Sequence, residues 1–379
     1  MKILYLANQR MPTDKAYGFQ IAKMCQAFAE NGHEVELVFP TRGTAPYSSL
    51  FEYYGIPEVF KVAVIFSPDL RWPAPFGWLA FHLKNYLSAR KLVRHALSSK
   101  ADLIYSRDEL PLALLNRTNK QLMYEAHKYS SSRRILYRIL KNNRVPLVVI
   151  SEGLKEKFQQ FGFSRINVAH DGVDLGEFDL AMDQDACRRE LKLPLDKTLI
   201  GYVGQLRTLG MEKGITELIE AAKELPPPSC LVIVGGTPAD IEFYKEYALR
   251  KGMGDRVLFT GFQKHRLIPR YLKAMNLLVM PFPNIEHYAR FMSPLKLFEY
   301  MASKKPIVAT DLPTVREVLN RENSVLVRPD SARDLAAGIR QLIADPALAK
   351  RLAEQAYEDV RGYSWIRRAQ TVLEFARNP

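Results

Sequence analysis

The stretch HYARFMSPLKLFEYMASKKPIVATDLP, His287 to Pro313, holds residues whose types and spacing suit phosphate chemistry. Ser293 and Pro294 stand where a helix would take its N-cap and first residue. A serine hydroxyl accepts an orphan N–H of the first turn, and proline lacks the donor that would go unused there. Leu295, Leu297, Phe298 and Met301 then form an apolar helical stripe, and KKPIVAT reads as a short buried strand beginning at Pro306. A helix N-terminus binds anions through its free N–H groups and its dipole. Lys296 adds positive charge there, and Glu299, about a turn deeper, can accept hydrogen bonds from hydroxyls. The set suits a ligand with a phosphate at one end and a diol nearby. A capped helix with a solvated Lys–Glu pair is the plainer meaning of the same residues.

The elements around this stretch alternate strand and helix, which predicts parallel sheets covered on both faces. In the first half the expected strands are KILYLAN, HEVELVFP, DLIYSR, QLMYEA, PLVVIS and INVAHDG, with helices at Gly18 to Asn31 and Glu152 to Phe161. The second half restarts with TLIGYVG, a helix from about Lys213, then SCLVIVGG, RVLFTG, NLLVMP, KPIVAT and NSVLV. Helical patterns run from Ser331 to Ala376. The polar segment between the halves, roughly residues 172 to 197, is the expected linker. The fold class expected is α/β, with two doubly wound Rossmann-like domains facing a cleft and ligands at the carboxyl ends of the strands.

The composition bounds the rest. A chain of 379 residues is long for one domain and comfortable for two. With 47% hydrophobic and 25% charged residues it is that of a globular protein. Cys25, Cys187 and Cys230 lie far apart without metal-ligand spacing and are expected as reduced thiols in a cytoplasmic protein. MKILYLANQR is too short in apolar residues for a signal sequence, and no run of about 18 apolar residues crosses a membrane. The formal charge of +13 points to an anionic partner.

GYVGQLRTLGMEKGITELIEAAKEL, LVIVGG, VLFTGF, LKAMNLLVMPF and SPLKLFEYMASKKPIVATDLPTVREVL follow one another between Leu199 and Val327. In that order and approximate spacing they resemble the GT-B glycosyltransferases, specifically retaining glycosyltransferase family 4. AYGFQIAKMCQAFAENGHEVELV, YEAH and VAHDGVDLGEF in the first half are similar to that family too. The resemblance implies an acceptor-side domain at residues 1–185 and a nucleotide-sugar-binding domain at 186–360. A C-terminal helix at 361–379 would pack back toward the first domain.

It also implies roles. Glu299 matches the carboxylate that accepts hydrogen bonds from the donor ribose. Lys213 matches the lysine that neutralises the donor diphosphate, whose charge grows as the glycosidic bond breaks. Gly18 matches a glycine whose bare backbone approaches phosphate, and His127 matches a histidine near the donor sugar. Ser293, Pro294 and Leu295 fall on the phosphate-binding helix start. A solvated lysine and a satisfied core histidine are the structural alternatives for Lys213 and His127.

The chain also departs from the family. The usual acidic residue eight positions before Glu299 is Phe291 here, leaving Glu286 as a substitute only if the loop differs. The glycine beside phosphate is Pro294, and the usual arginine after the strand-end glycine is Gln205, so Arg207 is expected to supply the second cation. These changes keep phosphate and ribose binding and open the donor to a deoxy or amino sugar.

Two basic stretches fall in the first half. Arg71 to Lys100 mixes aromatics with Lys84, Arg90, Lys91, Arg94 and Lys100. HKYSSSRRILYRILKNNR carries Lys128, Arg133, Arg134, Arg138, Lys141 and Arg144. Leu79, Leu83, Tyr86, Val93 and Ala96 are expected as the core stripe of the first. An anionic membrane surface on the inner face and a solvated basic face are both open readings, and no nucleic-acid motif accompanies the charge.

The leading expectation is a retaining glycosyltransferase moving a sugar from a nucleoside diphosphate sugar to a glycan or lipid-linked acceptor of a cell-surface polysaccharide. No cofactor and no metal are expected, because Asp183 and Asp185 in DLAMDQDAC lie in the expected linker. A sugar-nucleotide 2-epimerase is the nearest alternative. A dinucleotide-dependent oxidoreductase would need G-x-G-x-x-G, which GYVGQLRTLG and LVIVGGTPAD do not supply.

Overall fold

The structure is a computed structural model describing residues 1–41, 49–67, 76–208 and 210–377. Arg71 and Trp72 of the basic stretch lie outside the described residues. The chain divides into two units, Met1–His170 with Trp365–Pro379, and Asp171–Ser364.

In the first unit seven parallel strands form one sheet: β1 (Lys2–Leu6), β2 (Glu34–Thr41), β3 (Lys61–Phe66), β4 (Leu103–Ser106), β5 (Gln121–Ala126), β6 (Leu147–Val149) and β7 (Ile166–Val168). Their order is β3-β2-β1-β4-β5-β6-β7. Ile3, Leu4, Tyr5 and Leu6 are all buried, the mark of a strand covered on both faces. Strand β3 is absent from the sequence expectation. It forms the sheet's edge and its residues are half-exposed, so KVAVIF lacks the flanking turn contrast of a central strand.

The second unit holds β8 (Thr198–Val203), a small hairpin of β9 (Arg207–Thr208) and β10 (Met211–Glu212), β11 (Ser229–Val234), β12 (Val257–Gly261), β13 (Leu277–Met280), β14 (Ile307–Thr310) and β15 (Val325–Val327). The parallel sheet runs β12-β11-β8-β13-β14-β15, so strand order reverses between β8 and β13.

The expected linker at 172–197 is instead built into the second unit. Asp183 caps the helix Gln184–Glu190 by accepting the Ala186 N–H at 2.7 Å. Arg188, 3% exposed, donates to Asn276 Oδ1 at 2.7 Å and to the Ala274 carbonyl at 2.8 Å. That buried guanidinium holds the segment against the helix Ile268–Ala274, which is why the first boundary falls at 170/171 and not at 185/186. The second falls at 364/365 and not at 360/361, because the helix Trp365–Arg377 packs on the helix Ala16–Glu30 of the first unit. All three cysteines are buried and unpaired in disulfides.

The helix Gly77–Ser98 differs from its expected packing. Its buried residues are Ala80, Ser88, Ala89, Leu92 and Ala96, while Leu79, Leu83 and Tyr86 are 41%, 37% and 41% exposed. The helix buries mostly small residues, and Leu79, Leu83 and Tyr86 are exposed along with Trp78 and Phe81.

Candidate functional site

In the second unit the site elements gather where strand order reverses. Doubly wound sheets bind ligands outside the carboxyl ends of their strands at this place. Gly214 follows the hairpin in a left-handed conformation, φ 76°, and a Cβ there would stand 1.7 Å from the Pro281 carbonyl oxygen just past β13. Only glycine fits, and the close approach carries Lys213 to the end of β13. Burial pulls the Lys213 amine down to about 8. Burial, followed by the Lys213 charge, likewise lowers His287.

The helix Leu295–Ala302 starts one residue later than expected. Pro294 is its N-cap, extended at φ −80° and ψ 123°, and no side chain caps it. Ser293 is not the cap: its hydroxyl accepts the Asp171 N–H at 2.9 Å instead. Leu295 is the first helical residue, so the unused N–H groups of the first turn begin with it. Tyr300 ties the helix to β8, its hydroxyl accepting the buried Val203 N–H at 2.8 Å.

Glu299 faces His265, whose Nε2 is 3.1 Å from Glu299 Oε1; His265 Nδ1 is 3.7 Å from Glu177. His265 comes from the short turn His265–Leu267 and carried no signal in the sequence. Lys296 was read only as added charge. It is 8% exposed and lies over the rings of Tyr202 and Phe282, 3.8 and 5.2 Å from their centroids.

Arg207 does not join this cluster through any described contact. It lies on β9 against the helix Pro238–Arg250, 3.7 Å from Asp240 and 4.8 Å from the Phe243 ring centroid. An aromatic ring and a carboxylate on that one helix hold its guanidinium. Glu286 opens the short helix Glu286–Arg290 and is exposed, while Phe291 closes it.

In the first unit, His127 stands just beyond β5 with its side chain 15% exposed. Its Nε2 meets Glu125 Oε1, and the Tyr105 hydroxyl donates to the other oxygen of the same carboxylate. Arg368 Nη2 reaches Glu125 Oε1 at 2.8 Å. Burial alone would raise the Glu125 carboxyl, but the Arg368 guanidinium and His127 outweigh it and hold it well below the usual range. Burial, then the Arg107 charge, lowers His127 to about 3, so the imidazole is neutral. A neutral ring beside an ionised carboxylate donates Nε2–H to it, leaving the Nδ1 lone pair as its other polar site.

Gly18 lies within the helix Ala16–Glu30, and its bare face is already occupied. A Cβ there would come 2.1 Å from the Tyr54 hydroxyl, which accepts the Thr13 N–H at 2.9 Å. The missing side chain makes room for Tyr54. Among the described residues no three His, Cys, Asp or Glu side chains cluster as a metal site.

Comparisons with known proteins agree with this fold. A model described as "Glycosyl transferases group 1" matches residues 183–359, and one described as "Glycosyltransferase Family 4" matches residues 19–177. Alpha-D-kanosaminyltransferase of Streptomyces kanamyceticus is 32% identical over 181 residues, 46% of this chain and 44% of the relative. The chain spans about half the length of the curated relatives it matches, 51%, 44% and 50% for three of them. Sucrose-phosphate synthase from Thermosynechococcus elongatus has a similar structure, with TM-score 0.77 and 21% identity over 99% of this chain and 98% of that one. Anabaena Alr3699/HepE in complex with UDP-glucose gives 0.74 and 22%, again over 99% and 98%. At these identities the structural likeness is one of fold.

Proposed function

We infer that the chain is a glycosyltransferase of the GT-B fold resembling family 4, from the two family models that match residues 183–359 and 19–177. On that premise we propose that it transfers a sugar from a nucleoside diphosphate sugar to a hydroxyl acceptor, with retention at the anomeric carbon. The observation that carries this reading is the placing of Lys213 and the start of helix Leu295–Ala302 at the carboxyl ends of β8 and β13. As the anomeric carbon–phosphate oxygen bond breaks, negative charge builds on the leaving diphosphate. A fixed lysine and a helix dipole stabilise it there without a metal ion. The acceptor oxygen bonds to the anomeric carbon and its proton passes to the departing phosphate.

Glu299 is the ribose acceptor in this scheme, with His265 holding its carboxylate until the two hydroxyls replace that partner. A glycan or lipid-linked acceptor at the inner face of a membrane fits the first unit. Trp78 and Phe81, 66% and 54% exposed, share the helix Gly77–Ser98 with exposed Arg90 and Arg94. No helix among the described residues is long and apolar enough to cross a membrane.

The test is release of nucleoside diphosphate from a panel of UDP, GDP and dTDP sugars, with the anomeric configuration of the product read from its NMR coupling. Release from one donor and a retained configuration are expected. No release from any donor overturns the reading, and an inverted product overturns its stereochemistry.

A further inference from the structure

Lys296 is the least explained cation in the second unit. It is more than nine-tenths buried, and its Nζ has no hydrogen-bond partner among the described residues. Ring faces attract an ammonium but accept none of its hydrogens in the way a carboxylate or phosphate oxygen does. Leucine or methionine would fill the same space beside Tyr202 and Phe282 without desolvating an amine. Its position is equally specific. Gly204, the residue after β8, has φ +140°, and a Cβ there would lie 2.9 Å from both Nζ and Cε. The amine therefore occupies the carboxyl end of β8, beside the strand-order reversal, on the first turn of the helix whose N–H groups begin at Leu295.

We propose that Lys296 is a binding residue for the donor diphosphate, acting with Lys213 and the helix N-terminus on the phosphate oxygens. The proposal rests on the nucleoside diphosphate reading above and adds to it a cation that acquires its charge from the ligand. Burial, with the Lys213 charge next, holds the free Lys296 amine well below its ordinary range. The groups facing it are Lys213 from the loop after the hairpin, Tyr202 from β8 and Glu299 on its own helix; His287 lies near Lys213. Of the charged groups only Glu299 favours the ammonium, and His265 already engages that carboxylate. A diphosphate supplies the missing negative charge and strengthens the amine's hold on a proton, so the ammonium form grows as the ligand enters. Donor binding then consumes protons, and its affinity falls as pH rises.

Calorimetric titration of the full chain with UDP, GDP and dTDP, in Tris and in Hepes at pH 8, reads both affinity and proton exchange. The parent should bind at least one and take up protons. Lys296→Met should bind that nucleotide at least tenfold more weakly with less proton uptake, while its unfolding midpoint is no lower than the parent's. Lys213→Gln isolates the second lysine: the proton uptake it retains belongs to Lys296. Equal affinity and uptake in Lys296→Met, or no uptake left in Lys213→Gln, overturns the inference while leaving the donor reading standing. A parent that binds none of the three nucleotides removes both.

Discussion

Arg368, the fourth residue of the terminal helix, and Glu125 on β5 form an ion pair at 2.8 Å in which neither side chain is more than 2% exposed. Arg368 also donates to the His170 carbonyl at 2.8 Å and the Ala169 carbonyl at 3.2 Å, so the guanidinium is well satisfied. Removing one member of a buried pair strands the other. Arg368→Met should cost about 3–5 kcal/mol in urea unfolding, and Glu125→Leu in the same chain should recover part of it. A loss below about 1 kcal/mol would mean the pair contributes little.

The same carboxylate fixes the tautomer of His127, and burial keeps that ring neutral. Its folded pKa, about 3, lies below the ordinary 6.5. The unfolded chain therefore binds a proton below pH 6.5 that the folded chain refuses. This contribution to stability is complete above pH 6.5 and is lost as pH falls toward 3. By pH 5 about 2 kcal/mol of it has been lost. His127→Gln should lose less stability than the parent between pH 7 and 5, and no limb of the activity profile in that range should depend on His127. Equal losses in the two proteins would argue against a neutral buried imidazole.

Glu299→Ala should weaken donor binding by about 1.5–3 kcal/mol, the range for hydrogen bonds to a charged group. Direct titration with the preferred nucleotide checks it. Unchanged affinity would return Glu299 to a purely structural role beside His265.

Lysines and a helix terminus require no metal to carry diphosphate charge. Turnover should survive excess chelator after exhaustive dialysis. Complete loss that Mg²⁺ or Mn²⁺ restores would require a different phosphate site.

Membrane attachment, if it occurs through the helix Gly77–Ser98, should need both its aromatics and its cations. Each basic residue near an anionic surface contributes about 1 kcal/mol, and salt screens it. Vesicle cosedimentation should rise with anionic lipid and fall in Trp78→Ser/Phe81→Ser and in Arg90→Glu/Arg94→Glu proteins. Equal partition to neutral and anionic vesicles at low salt would leave the basic face as a solvated one.

Much of this protein is written locally. Apolar runs such as KILYL and SCLVIV can only be buried strands, and their alternation with helices dictates parallel sheets. The helix Glu152–Phe161 is bounded by a Ser151 side-chain cap and by Gly162 at φ 101°, signals within one turn of its ends, and it falls where the sequence places it. The ordered segments from Leu199 to Val327 were enough to show the resemblance. What stayed hidden depends on partners far along the chain. Ser293 turns from its own helix to a backbone N–H 122 positions away, His265 reaches Glu299 across 34, and Arg368 meets Glu125 across 243. On Gly77–Ser98 periodicity placed Ala96 correctly and misassigned Leu79, Leu83 and Tyr86, which are exposed. For Lys296 the sequence names a lysine near a helix start. Only the tertiary structure removes it from water between Tyr202 and Phe282, and that burial pulls its amine well below the ordinary range.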